Sequence, residues 1–69
     1  MDRLREKLKE ILEHGDFNEE SFINELGFDS FSVVEFIEWI NLEYGKNISL
    51  EEFRKFNKLR DLTFFLEKI

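Results

Sequence analysis

The chain has no cysteine, no proline and no alanine, and only three glycines in 69 residues. Without cysteine there is no disulfide framework, no thiolate metal site and no redox pair, so apolar packing alone must hold the fold. Long apolar runs are absent too, and nothing approaches the ~20 residues that a membrane span needs. The opening Met1-Asp2-Arg3-Leu4-Arg5-Glu6 is too charged for the apolar core of a secretory signal. The expectation is a soluble, untargeted, cytoplasmic chain. At this length about 60% of the unfolded surface is buried on folding and the core supplies about 3–5 kcal/mol. A single domain spanning 1–69 is expected, without room for a deep substrate cavity. That excludes most enzymes and places any ligand at the surface.

Positive charge is missing from the middle of the chain. From Glu10 to Gly45 there is no Lys or Arg, while ten acids fall there; the flanks hold ten bases and six acids, for a net charge of −6. Such a field repels nucleic-acid phosphate and anionic membranes, so neither is expected as a partner, and it attracts basic protein patches. What the sequence has in excess is phenylalanine, nine of them against two valines, so bulky rings must fill the core and disorder is not expected.

Periodicity gives four helical segments. Leu4, Leu8, Ile11 and Leu12 form one stripe of a helix over 2–14, with His14 in its last turn and Gly15 just beyond its end. Residues 15–29 read as a long loop tied down by Phe17, Phe22, Ile23, Leu26 and Phe28, with a helical turn near Glu19 to Glu25. From Ser30 to Tyr44, Val33, Phe36, Ile37, Ile40 and Tyr44 gather on one core-facing side. Phe31, Val34, Glu35, Glu38 and Leu42 collect on the opposite side, with Trp39 at its margin, and Gly45 stops the helix. Ser49-Leu50-Glu51-Glu52 has the form of a capping box opening a short third helix that carries Phe53 and Phe56. Leu59, Leu62, Phe65, Leu66 and Ile69 repeat as the stripe of a last helix, with Phe64 off it. The fold class is all-α: a four-helix bundle with a long first loop and a short third helix.

Few motifs carry chemistry. Asp16-x-Asn18-x-Glu20 starts like a calcium loop but places Ser21 and Gly27 where that loop needs glycine and glutamate. A catalytic triad would have to use His14, which reads instead as a solvated helix end. One constellation remains, Leu26-Gly27-Phe28-Asp29-Ser30-Phe31, which sets a serine hydroxyl at the start of the second helix. A phosphate ester there would meet free N–H groups and the positive end of the helix dipole, worth about 0.3–1 kcal/mol when exposed. Ordinary capping is the competing role for these residues: Asp29 or Ser30 as N-cap, or Ser32-Val33-Val34-Glu35 as a further capping box.

This string, followed by Val34-Glu35 and Glu43-Tyr44-Gly45, resembles the acyl carrier protein family, whose modified serine lies in an LG-x-DSL run leading into a V-E-containing helix. Ser21-Phe22-Ile23-x-x-Leu26 and Phe56-x-x-Leu59-x-Asp61-Leu62 are similar to the family's flanking segments, so the resemblance covers residues 2–69. It implies that Ser30 receives 4′-phosphopantetheine from coenzyme A through a separate Mg²⁺-dependent phosphopantetheinyl transferase. The arm's thiol would hold acyl groups as thioesters for fatty-acid or polyketide-type synthesis. Asp29 matches the aspartate before that serine. Phe31, Val34, Glu35, Glu38 and Leu42 would meet basic docking patches on acyl-transferring or condensing enzymes. The chain would not itself be an enzyme, would bind no metal and would be a monomer.

Three departures qualify the resemblance: Phe31 stands where leucine is usual, the first loop is shorter, and Phe36, Trp39 and Tyr44 leave less internal room, or a differently shaped pocket. From a different class, the same residues would serve an unmodified acidic helical adaptor that binds a basic partner through its second helix.

Overall fold

The computed structural model describes residues 2–67. Its elements are α1 (Asp2–Leu12), α2 (Ser30–Tyr44), α3 (Leu50–Phe53) and α4 (Leu59–Glu67), with a 3₁₀ turn at Ile23–Glu25 in the first loop. No strand occurs among the described residues. This is the all-α, four-helix architecture expected from the periodicity.

Each helix turns its stripe inward. Leu4 and Leu8 of α1, Phe36, Ile37 and Ile40 of α2, Phe53 of α3, and Leu59, Leu62 and Leu66 of α4 form one cluster, joined from the loops by Phe17, Ile23, Leu26 and Ile48. Val33 and Tyr44 only flank this cluster, half-buried, as do Ile11 and Leu12. The last helix departs from its expected stripe. Phe65 is 39% exposed, packed on Phe56 at 5.3 Å with the Lys46 ammonium over its ring, while Thr63 takes the buried position and donates to the Leu59 carbonyl. Ile69 lies outside the described residues. Phe56 falls past the end of α3, half-buried in the connection to α4.

The first helix ends with its apolar stripe at Leu12, two residues before the end at 14 expected from Gly15. Glu13, not Gly15, takes the left-handed conformation, with φ of 62°, and its N–H donates to the Lys9 carbonyl. This costs a non-glycine residue about 1–2 kcal/mol. The early stop frees His14 from the helix. Its Nδ1 accepts the Asp16 N–H at 3.1 Å and its Nε2 lies 3.2 Å from the Leu26 carbonyl, so Nε2 carries the proton and donates. His14 is exposed, as expected, but it lies past the end of α1 and fastens the two ends of the first loop together.

That loop is anchored again at its far side. Phe22 and Lys58 face each other in a single antiparallel bridge. Ile23 donates to the Asn57 carbonyl, while the N–H groups of Leu59 and Arg60 donate to the carbonyls of Ser21 and Glu19. The first N–H groups of a helix have no partner within it, so the loop acts as the N-terminal cap of α4. Asn41 plays a similar part between α2 and α3. Its side chain donates to the Ile48 carbonyl at 3.1 Å and accepts the Ile48 N–H at 2.8 Å, fixing the turn that begins at Gly45, whose φ of 62° suits glycine.

Phe36 has no exposed surface and touches three other rings. Phe36→Ala is expected to destabilise the fold by about 3–5 kcal/mol, enough to unfold a domain of this size, as read by circular dichroism on thermal and urea titration.

Candidate functional site

The start of α2 is built by Asp29. Its backbone is extended, and its carboxylate Oδ1 accepts the N–H of Ser32 at 2.7 Å and of Phe31 at 3.0 Å; Ser32 Oγ in return accepts the Asp29 N–H at 2.8 Å. This reciprocal pair satisfies the first-turn N–H donors of Asp29, Phe31 and Ser32. Of the capping roles open in the sequence, Asp29 takes the N-cap, and Ser32 is its partner rather than the start of a further box with Glu35. Ser30 is thereby left at the first helical position, exposed, and its hydroxyl makes no hydrogen bond among the described residues. Immediately upstream, Gly27 has φ of 100° with open space around its Cα, so the constraint there is backbone direction and not crowding.

Hydrogen bonding holds the Asp29 carboxyl below its ordinary value. The Ser32 N–H contributes most, then the Ser32 hydroxyl; partial desolvation acts in the opposite sense, and the Phe31 N–H adds a smaller lowering. The site therefore carries a carboxylate, not a neutral acid, directly beside the serine.

Ser30 opens onto a cleft of about 360 Å³ between the first loop, α2 and α3. Ile23, Phe28, Val33, Phe53 and Phe56 give it apolar walls, and Asn24, Asp29 and Arg54 place polar groups around them. An exposed, unengaged hydroxyl at the mouth of an apolar trough suits a phosphate-linked arm with an apolar stretch, so the residues present fit phosphopantetheine. The N–H groups of Phe31 and Ser32 that the sequence left free for a phosphate are taken by the Asp29 carboxylate, so what the helix start offers a linking phosphate is the positive end of its dipole, and the trough has room for the remainder of the arm.

The outer side of α2 leaves large apolar groups in water. Phe31 is 86% exposed, Leu42 85% and Val34 45%. Glu35 and Glu38 are exposed between them and make no ion pair among the described residues. Three acids elsewhere are engaged: Glu43 by Arg3, Glu10 by Lys7, and Glu20 by both Lys58 and Arg60. Trp39, placed by the sequence at the margin of this side, is half-buried, stacked on Phe36 at 6.2 Å and edge-on to Tyr44. No group of three or more His, Asp or Glu able to hold a metal occurs among the described residues. Glu20, part of the calcium-like string, is instead held by Lys58 and then Arg60, which lower its pKa.

Because the folded-state Asp29 carboxyl is lowered, its ionised form contributes stability above the ordinary carboxylate range, and that contribution is lost as pH falls through the lowered value. Asp29→Asn, which keeps the cap, is expected to hold the melting temperature near that of the parent at neutral pH. It should also flatten the decline on acidification, while Asp29→Ala lowers the melting temperature at neutral pH; melts from neutral to acidic pH check both.

The family model for the phosphopantetheine attachment site matches residues 2–66. Two proteins named acyl carrier protein, from Buchnera aphidicola subsp. Acyrthosiphon pisum strains Tuc7 and APS, are each 33% identical over 75 aligned positions, covering 99% of this chain and 94% of theirs. No solved structure matches significantly. With a match across nearly its whole length, four helices and a free serine hydroxyl at the start of the second, the chain belongs to the acyl carrier protein family of phosphopantetheine-bearing carriers.

Proposed function

We propose that Ser30 is the phosphopantetheine attachment residue of an acyl carrier protein that serves fatty-acid or polyketide-type synthesis as a single domain over 1–69. The observation that carries this is the division of labour at the start of α2: Asp29 does the capping, and the Ser30 hydroxyl stays exposed beside an apolar cleft. When bound, the arm supplies a thiol that holds acyl groups as thioesters. The chain itself supplies attachment, shape and charge and is not a catalyst. Asp29 fixes the serine's position, the helix N-terminus favours the phosphate, and the cleft receives the apolar part of the arm.

The exposed side of α2 is the docking surface. Phe31, Val34 and Leu42 provide apolar contact, and the unpaired Glu35 and Glu38 steer the carrier to basic patches on a phosphopantetheinyl transferase and on acyl-transferring or condensing enzymes. Contacts of this kind weaken with salt, which suits a carrier that visits several enzymes. A cytoplasmic monomer fits these roles, and no helix among the described residues is long and apolar enough to cross a membrane.

Incubation with coenzyme A, Mg²⁺ and a broad-specificity transferase is expected to add one phosphopantetheine to the chain, read by intact mass, and none to Ser30→Ala. Absence of an adduct on the parent chain would leave only the unmodified adaptor, bound through the same helix. Glu35→Lys with Glu38→Lys is expected to slow modification about tenfold or more at low salt, with the difference shrinking as salt rises and helicity unchanged; an unchanged low-salt rate would remove α2 as the docking surface.

A further inference from the structure

The cleft beside Ser30 has a closed floor. Phe28 and Phe36 stack with centroids 5.4 Å apart, and Phe53 stands edge-on to both, 6.1 Å from Phe28 and 5.9 Å from Phe36. Phe36 has no exposed surface and Phe53 is 2% exposed, and Ile40, Leu59 and Leu62 of the same core cluster have none. Space for cargo is therefore the trough in front of the rings, walled by Ile23, Val33 and Phe56, and not the interior of the bundle. An acyl chain could pass between α2 and α3 only if buried rings left their packing in an interior of crystal-like density, giving up stacked and edge contacts together.

We infer that the Phe28–Phe36–Phe53 cluster restricts this carrier to short acyl thioesters held in the outer cleft, and bars longer chains from shelter between the helices. This rests on Ser30 as the attachment residue and goes beyond it by naming the size of the cargo and the residues that set it. Cargo that stays in the cleft keeps its thioester open to water and to partner enzymes. A long chain gains nothing further from the protein once the trough is filled. Phe53 is the specificity-determining residue, because its ring closes the α3 side of the floor and itself lines the trough.

The test uses the full chain loaded with butanoyl, octanoyl or dodecanoyl phosphopantetheine, each product verified by intact mass, with cleavage of the thioester by hydroxylamine as readout. Each methylene withdrawn from water multiplies the sheltered population about fourfold, so shelter inside the bundle would separate butanoyl from dodecanoyl by more than about tenfold, whereas the outer cleft keeps the series within about twofold. A flat series supports the inference. Protection that climbs with chain length in the parent protein overturns it while leaving the attachment residue standing, and an absent adduct overturns both, as the mass alone reveals. Phe53→Leu, which removes the ring but keeps apolar bulk, is expected to fold and to gain length-dependent protection. A folded Phe53→Leu protein with a flat series would overturn the role of the ring.

Discussion

The arrangement of the site depends on which of two adjacent side chains caps α2. Asp and Ser are both strong N-cap residues, and a serine in that role would spend its oxygen on a backbone N–H. Here the Asp29 carboxylate accepts from Phe31 and Ser32, Ser32 returns the bond, and Ser30 falls one position inside the helix with its hydroxyl unspent. A hydrogen bond to a charged acceptor is stronger than one to a hydroxyl, so the order Asp-Ser gives the cap to the first residue and leaves the hydroxyl of the second unengaged. Reversing that order would place the hydroxyl in the cap and the carboxylate on the surface.

Around this start, the two sides of α2 are put to different uses. Phe36, Ile37 and Ile40 anchor the helix in the core, while Phe31, Val34 and Leu42 remain in water beside Glu35 and Glu38, which have no ion pair among the described residues. Exposing three large apolar side chains on one helix is a burden for a small domain unless a partner covers them. The neighbouring carboxylates keep that surface soluble and set its sign. Three other acids, Glu10, Glu20 and Glu43, are held in ion pairs by Lys7, Lys58, Arg60 and Arg3, whereas Glu35 and Glu38 keep their full charge on the outer side of α2.

How much of this was readable from the residues varies with the range of the interaction. The span of α2, its stop at Gly45 and the capping box of Ser49 and Glu52 depend on neighbours within four positions, and all were legible. The site motif was legible as a pattern, but the choice between Asp29 and Ser30 as cap needed the geometry. The end of α1 misled, because Gly15 advertises a turn while Glu13 makes it, and the resulting contact of His14 with Leu26 lies 12 residues away in sequence. Asn41 gave no local signal, since its partner Ile48 belongs to the next turn. Phe65 fits the apolar stripe of α4 yet stays 39% exposed, because Phe56 and Lys46 reach out to meet it at the surface.

The capping of α4 by carbonyls of Ser21 and Glu19 ties the last helix to a segment some forty positions earlier. Such a helix cannot fray from its start without releasing that loop. The loop in turn ends at Asp29, the cap of the helix that carries Ser30, so the order of the site and the integrity of the carboxyl-terminal helix belong to one cooperative unit. Damage to the end of the chain would accordingly be felt at the serine, although nothing in α4 lines its cleft.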